Sequence, residues 1–183
     1  MTYFSTREIA VITMFAALWG VLSSIFAPIV FRMFGLPILC DMIGFSVLIL
    51  SVWWVRKLGA VITVGLIATV VNFVFNPSGF QFLGFTAASI VLDVVTRLVG
   101  YDRCFKNSLF TTVSMLSVSV LSATVAGLII GTFFMDTSAL AKWGGVLGWA
   151  GLHTVGGIVG GFIGITLVTG LSIRGVRRMD VKN

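Results

Sequence analysis

Residues 56–92 read RKLGAVITVGLIATVVNFVFNPSGFQFLGFTAASIVL, and no charged side chain follows Lys57 until Asp93. The apolar run over 58–75 is long enough to cross a bilayer, because one crossing takes about 17–25 residues at 1.5 Å rise. Asn76-Pro77-Ser78-Gly79 then interrupts it with turn chemistry. Proline fixes one backbone angle, glycine frees another, and asparagine and serine bond local backbone groups. A second apolar run begins near Phe80 and continues through Asp93 and Arg97 to Gly100. So short a connection makes the two runs an antiparallel hairpin of membrane helices.

The rest of the chain repeats this pattern. Apolar runs cover 9–31, ending at Arg32; 36–55, interrupted by Asp41; 108–135; and 143–173. The start of the last, Trp143-Gly144-Gly145, reads as a turn, which leaves a helix over 145–173. Membrane β-strands would be about ten residues long with strict alternation; these runs are longer and continuously apolar. Composition agrees, with 58% of 183 residues hydrophobic and 10% charged, against roughly 25% charged in an ordinary soluble domain. A water-soluble globule and a disordered chain are both excluded. The expectation is one all-α membrane domain over 1–183, a bundle of six transmembrane helices at about 9–31, 36–55, 58–75, 80–100, 108–135 and 145–173, without linker, low-complexity tract or internal repeat.

Basic residues orient the bundle. Arg7, Arg56, Lys57, Arg97, Arg103, Lys106, Arg174, Arg177, Arg178 and Lys182 flank one set of helix ends, whereas Arg32 and Lys142 flank the other. The positive-inside rule then predicts a multi-pass protein of the cell membrane with both termini cytoplasmic. The net charge of +6 is read as orientation, not as nucleic-acid binding. Cys40 falls near the outer face and Cys104 near the inner one, so they are not expected to pair. The first run is too long for a signal-peptide core and is expected to be retained.

Polar and aromatic residues gather in the outer half: Arg32, Asp41, Asn72, Asn76, Ser78, Gln81, Asp136, Trp143, Trp149 and His153. Charged groups at membrane depth are costly and usually face a cavity or a partner. Asp41 is either an interfacial charge or helix cap, or a contact in an outward-facing pocket. Asn72 and Asn76 are one helical turn apart on the same face; their amides need partners, so the pair is expected to face the bundle interior. Taken alone, Asn76–Gly79 is equally a plain turn. Trp149 and His153 also share a helix face, where an indole and an imidazole suit stacking and hydrogen bonding to a flat heteroaromatic ligand. The alternative for a lone histidine is a helix–helix hydrogen bond. The candidate ligand contacts are Asp41, Asn72, Asn76, Gln81, Trp143, Trp149 and His153.

A single histidine and no cysteine cluster argue against zinc. Gly156, Gly160 and Gly164 form a stripe, with Gly157 and Gly161 beside it; Ala16, Gly20 and Ser24 form another on the first helix. Small residues four apart let backbones approach closely, either within the molecule or against another subunit. Asp93 and Arg97 have the spacing of a local ion pair. There is no Walker lysine loop, dinucleotide glycine fingerprint or acidic metal motif, so no cofactor or catalytic residue is assigned and ATP hydrolysis is not expected of this chain.

With its short-looped helices and the small-residue stripe on helix one, the chain resembles the substrate-binding S components of energy-coupling factor (ECF) transporters. Arg56-Lys57-Leu58-Gly59-Ala60 followed by Asn76-Pro77-Ser78-Gly79 is similar to the members assigned to hydroxymethylpyrimidine or thiamine. The resemblance implies an outward-opening vitamin pocket lined by helices four to six, a transmembrane coupling subunit and two cytoplasmic ATPases. It also implies that Ala16, Ala17 and Gly20 dock the coupling subunit, with Gly20 standing where the family has alanine. The acidic residue that pyrimidine-type members carry late in helix three is absent, and Asn72 is the nearest polar residue. A second resemblance is to rhomboid intramembrane proteases. Ser78 precedes the fourth helix, and His153 opens His-x-x-Gly-x-x-x-Gly on the last, a pair able to act as nucleophile and base. The first glycine of the family's serine motif is Asn76 here, and its outer-loop arginine motif and helix-two histidine are missing.

Overall fold

The computed structural model describes residues 3–176; Arg177, Arg178 and Lys182 of the orientation argument lie outside the described residues. These residues are 84% helical, with no strand among them. Six long helices carry the fold: α1 (Thr6–Phe34), α2 (Ile38–Val55), α3 (Ala60–Phe75), α4 (Phe82–Val99), α6 (Ser108–Phe133) and α8 (Gly145–Ile173). Two short helices complete it, α5 (Tyr101–Cys104) and α7 (Thr137–Lys142). Five of the six are long and apolar enough to cross a membrane, as in a multi-pass membrane protein; α3, with 16 residues, is shorter. Large apolar side chains such as Met14, Leu66, Val74, Leu98 and Leu147 cover the outside of the bundle.

Helix ends follow local chemistry. Ser5 and Glu8 form a reciprocal capping box at the start of α1, satisfying two amide groups that would otherwise lack partners. Gly35, at φ 68°, ends that helix in the left-handed conformation that glycine adopts without steric cost.

The helices form a closed ring in the order α1, α3, α4, α6, α8, α2, with α2 also touching α3, α4 and α6. Two glycine rows on α8 explain its place between α2 and α6. A Cβ at Gly160 would stand 2.7 Å from the Asp41 carbonyl oxygen, and one at Gly164 would stand 3.0 Å from Ile49 Cβ, both on α2. On the adjacent row, a Cβ at Gly157 would run into Ala123 Cβ of α6. Both rows therefore serve packing within the chain.

The N-terminus and the α2–α3 and α4–α6 connections share one end of the ring, here the terminal end. Two ion pairs close there within the chain: Lys57 Nζ lies 2.8 Å from Glu8 Oε2, and Arg56 Nη1 lies 2.8 Å from Asp102 Oδ1. Asp93 does not form the expected ion pair with Arg97. Its Oδ2 instead accepts from the backbone N–H groups of Gly59, Val61 and Ile62, and its Oδ1 accepts from the Tyr101 hydroxyl at 2.8 Å. The unpaired amides and positive dipole end of α3 offer a carboxylate several charge-assisted bonds in place of one exposed contact. Burial pushes the Tyr101 phenol above its ordinary range, and Asp93 pushes it the same way, so Tyr101 remains a donor.

The packing makes a stability prediction. Gly157→Leu should lower the unfolding temperature of the detergent-purified protein, since overpacking costs about 1–3 kcal/mol. Gly151→Ala adds a methyl where nothing lies within 4 Å and should leave the unfolding temperature unchanged or slightly raised.

Candidate functional site

At the other end of the ring, where α1 meets α2, α3 meets α4 and α6 meets α7, the helices surround a cavity of about 390 Å³. Every long helix contributes to its wall: Phe31 and Arg32 from α1, Cys40 from α2, Asn72 from α3, Phe82 and Phe85 from α4, Ile130 from α6, and Trp149 and His153 from α8.

Local sequence explains how the α1–α3 side is fixed. Pro28 lies inside α1 and has no N–H to donate to the carbonyl one turn earlier, that of Ser24. Asn76 Nδ2 donates to that carbonyl at 3.2 Å, and Asn72 Nδ2 donates to the Ser24 hydroxyl at 3.0 Å. The two asparagines face the interior, as their spacing predicts. With its amide nitrogen engaged, Asn72 directs Oδ1 toward Gly79, where a Cβ would stand only 2.5 Å from that oxygen. Glycine in the Asn76–Gly79 turn is thus required by close approach.

The α8 side is fixed by α2 and α6. His153 Nδ1 lies 3.0 Å from Asp41 Oδ1, and both residues are fully enclosed. Gly156 leaves the room for this carboxylate, since a Cβ there would lie 2.6 Å from Asp41 Oδ2. Gly127 and Gly131 of α6 do the same for the other flank of α8: a Cβ at Gly127 would stand 2.9 Å from His153 Cβ, and one at Gly131 would stand 3.4 Å from Trp149 Cδ1. Edge-to-face contacts join Trp149 to Phe31 and to His153, and His153 to Phe85. Trp19 backs this wall against Phe82 and Phe85.

Four lining side chains carry a buried polar atom with no hydrogen-bond partner among the described residues: Ser23 Oγ, Asn72 Oδ1, Trp149 Nε1 and His153 Nε2. Each of these residues is 2% exposed or less. Buried polar groups are nearly always satisfied in folded proteins, and leaving one unsatisfied costs about 1–3 kcal/mol. With the Asn72 amide nitrogen committed, Oδ1 is an acceptor; the indole Nε1–H is only a donor. An aromatic-walled chamber with fixed, unmatched donors and acceptors has the make-up of a small-molecule site.

Of the sequence candidates, Asn72, Asn76, Gln81, Trp149 and His153 line this cavity, as do Arg32, Ser78 and Asp136. Asp41 stands one layer behind, reaching the cavity through His153; it is neither a cap nor an interfacial charge. Trp143 does not join the set. It follows α7, and Gly144 and Gly145, at φ 78° and 77°, turn the chain between it and α8, leaving Trp143 36% exposed. Ser78 and His153 share the cavity without a hydrogen bond between them, because His153 Nε2 has no partner among the described residues. Phe31, Phe82, Phe85, Ser23 and Cys40 are lining residues that sequence reasoning missed. Phe82 and Phe85, three apart on one helix face, were the available signal. Among the described residues no group of three His, Cys, Asp or Glu side chains could hold a metal ion.

The expected docking stripe on α1 is corrected. Ala16 is fully buried and Gly20 is enclosed, with a Cβ at Gly20 standing 2.8 Å from Val71 Cβ of α3. Only Ala17 is exposed. The stripe fits α1 against α3 because small residues there allow the approach that Asn72 and Asn76 need to reach Ser24.

No protein-family model, characterised protein or solved structure matches the chain.

The correction on α1 is testable on the isolated protein. Ala16→Trp should lower its thermal stability in detergent or prevent folded recovery, whereas Ala17→Trp should leave both unaffected.

Proposed function

We propose that this protein is the substrate-binding S component of an ECF-type importer, a multi-pass protein of the cell membrane that captures a small heteroaromatic vitamin or precursor of the thiamine or hydroxymethylpyrimidine kind. In this reading α3 is the sixth crossing. Its 16 residues span about 24 Å, a little under the hydrocarbon core, a mismatch that local thinning accommodates. Both termini are cytoplasmic, so the cavity opens to the outside. The protein is then a carrier without catalytic residues or cofactor, and a transmembrane coupling subunit with two cytoplasmic ATPases supplies the work.

One observation carries the proposal: the cavity of about 390 Å³ with aromatic walls and four buried, unmatched polar atoms. That volume falls within the roughly 300–1,000 Å³ of ligand pockets and suits one or two small rings. Phe31, Phe82, Phe85 and Trp149 give a planar ligand faces and edges to stack on. The unmatched acceptor at Asn72 and donor at Trp149 call for a ligand with both an N–H group and a ring acceptor, and His153 Nε2 takes either role according to its tautomer. With Ala16 and Gly20 inside the bundle, a coupling subunit would meet other residues, and Ala17 is the one member of that motif still on the surface.

The test is ligand binding by the purified protein, followed by tryptophan fluorescence with thiamine, hydroxymethylpyrimidine, riboflavin, biotin and cobalamin. Thiamine or hydroxymethylpyrimidine should change the emission, and cobalamin, too bulky for the cavity, should not. Trp149→Phe should remove most of the response and weaken binding about tenfold, the loss of roughly one hydrogen bond. Trp143→Phe should preserve the response. Silence with all five compounds in folded protein would refute the proposal.

A further inference from the structure

Asp41 is the one carboxylate packed behind the cavity wall, and its surroundings hold little to balance it. Its Oδ1 meets His153 Nδ1 at 3.0 Å, and its Oδ2 has no partner among the described residues. Helices α3 and α6, both packed on α2, contain no charged residue. Asp93 and Arg97 of α4 and Glu8 of α1 lie toward the terminal end, where Glu8 is bound to Lys57 and Asp93 to the start of α3. Arg32 of α1 and Asp136, which precedes α7, both line the cavity, and no ion pair joins Arg32 to Asp41; Lys142 closes α7. On α2 itself the neighbour is the Cys40 thiol, which is no cation. His153 is therefore the one group in contact with Asp41 that can carry a positive charge.

An isolated buried charge costs several kcal/mol even after the protein relaxes. One proton held between the Asp41 carboxylate and the His153 imidazole, across the 3.0 Å contact of Oδ1 and Nδ1, neutralises that charge. The pair's outward atom, His153 Nε2, lies on the cavity wall. A ligand that brings its own fixed positive charge would balance Asp41 and make that proton redundant.

We propose, building on the heteroaromatic-carrier reading above, that the Asp41–His153 pair makes the cavity a cation-for-proton exchange site: an aromatic cation enters and one proton leaves. The balance is simple. The proton on the pair departs to bulk water through the open cavity, His153 keeps Nδ1–H toward Asp41 Oδ1, and Nε2 is left with a lone pair facing the ligand. No bond to the ligand forms. A neutral heteroaromatic binds on the same walls without displacing the proton.

The experiment uses the full-length protein in detergent or nanodiscs, with thiamine as a permanently cationic probe and hydroxymethylpyrimidine as a probe uncharged at neutral and alkaline pH. Protons are counted with a pH-sensitive dye in weak buffer while binding is followed by fluorescence. Close to one proton should be released per thiamine bound. Thiamine affinity should rise as pH rises, by roughly tenfold per unit where the pair still holds its proton, because proton and cation compete for one site. Hydroxymethylpyrimidine should release none. Asp41→Asn, checked for monodisperse elution and an intact unfolding transition, should abolish proton release and weaken thiamine at least tenfold. Thiamine binding with no proton release overturns the exchange. Binding of hydroxymethylpyrimidine alone at every pH also overturns it and leaves the carrier reading intact. Failure of both probes to bind overturns the exchange, and silence with riboflavin, biotin and cobalamin as well refutes the carrier reading with it.

Discussion

Helix α8 has no side chain where α2 and α6 cross it, and the site depends on that. The α2 backbone at Asp41 and Met42 fills the space beside Gly160, and the Asp41 carboxylate fills the space beside Gly156. A methyl group at either position would push α2 away and break the 3.0 Å contact to His153. The α6 side is reciprocal. There the bare positions are Gly127 and Gly131, and the side chains given room are those of His153 and Trp149. In lipid, helices gain little from burying apolar surface against each other, so close van der Waals packing and interhelical hydrogen bonds carry association. These glycines permit both at once.

The opposite wall is held by a different device. Pro28 leaves the Ser24 carbonyl without its helical donor, and the Asn72–Asn76 pair supplies amide hydrogens to Ser24 instead. A proline in a helix interior usually weakens it; here the missing bond becomes the anchor between α1 and α3. Because α8 and α3 are each fixed by polar contacts to a neighbour, the polar atoms of Asn72 and His153 that face the cavity are held in place within the chain. A ligand of the proposed kind would meet a correspondingly small ordering cost.

The six helices were legible because long uncharged runs and the Asn76-Pro77-Ser78-Gly79 turn have few alternative readings. The spacing of Asn72 with Asn76 and of Trp149 with His153 also showed which residues share a face. Spacing within one helix does not say which neighbour that face meets. Asp41 and His153 are 112 residues apart, and only the ring order joins them. Ala16 and Gly20 look alike whether they face α3 or a partner. Asp93 illustrates the same limit, since an i,i+4 partner was visible and the amides of α3, more than thirty residues earlier, were not. Phe82 and Phe85 were passed over because an aromatic cavity wall and an aromatic membrane surface have the same composition.

The two ends of the bundle solve their electrostatics in opposite ways. At the terminal end, Glu8 meets Lys57, Arg56 meets Asp102, and Asp93 is saturated by three amides and a phenol. These groups at that end find their partners within the chain. At the cavity end, Ser23, Asn72, Trp149 and His153 present polar atoms that nothing in the described chain satisfies, and Asp41 keeps one oxygen unmatched. Each such atom weakens the fold unless something else completes it. Four of them line one chamber, and three, on Asn72, Trp149 and His153, belong to side chains held by a hydrogen bond or by aromatic packing, which is hard to reconcile with a purely structural bundle. On the proposed reading, a ligand that supplied the missing hydrogen bonds would recover the free energy lost on folding at this end and couple the stability of the bundle to occupancy of the cavity.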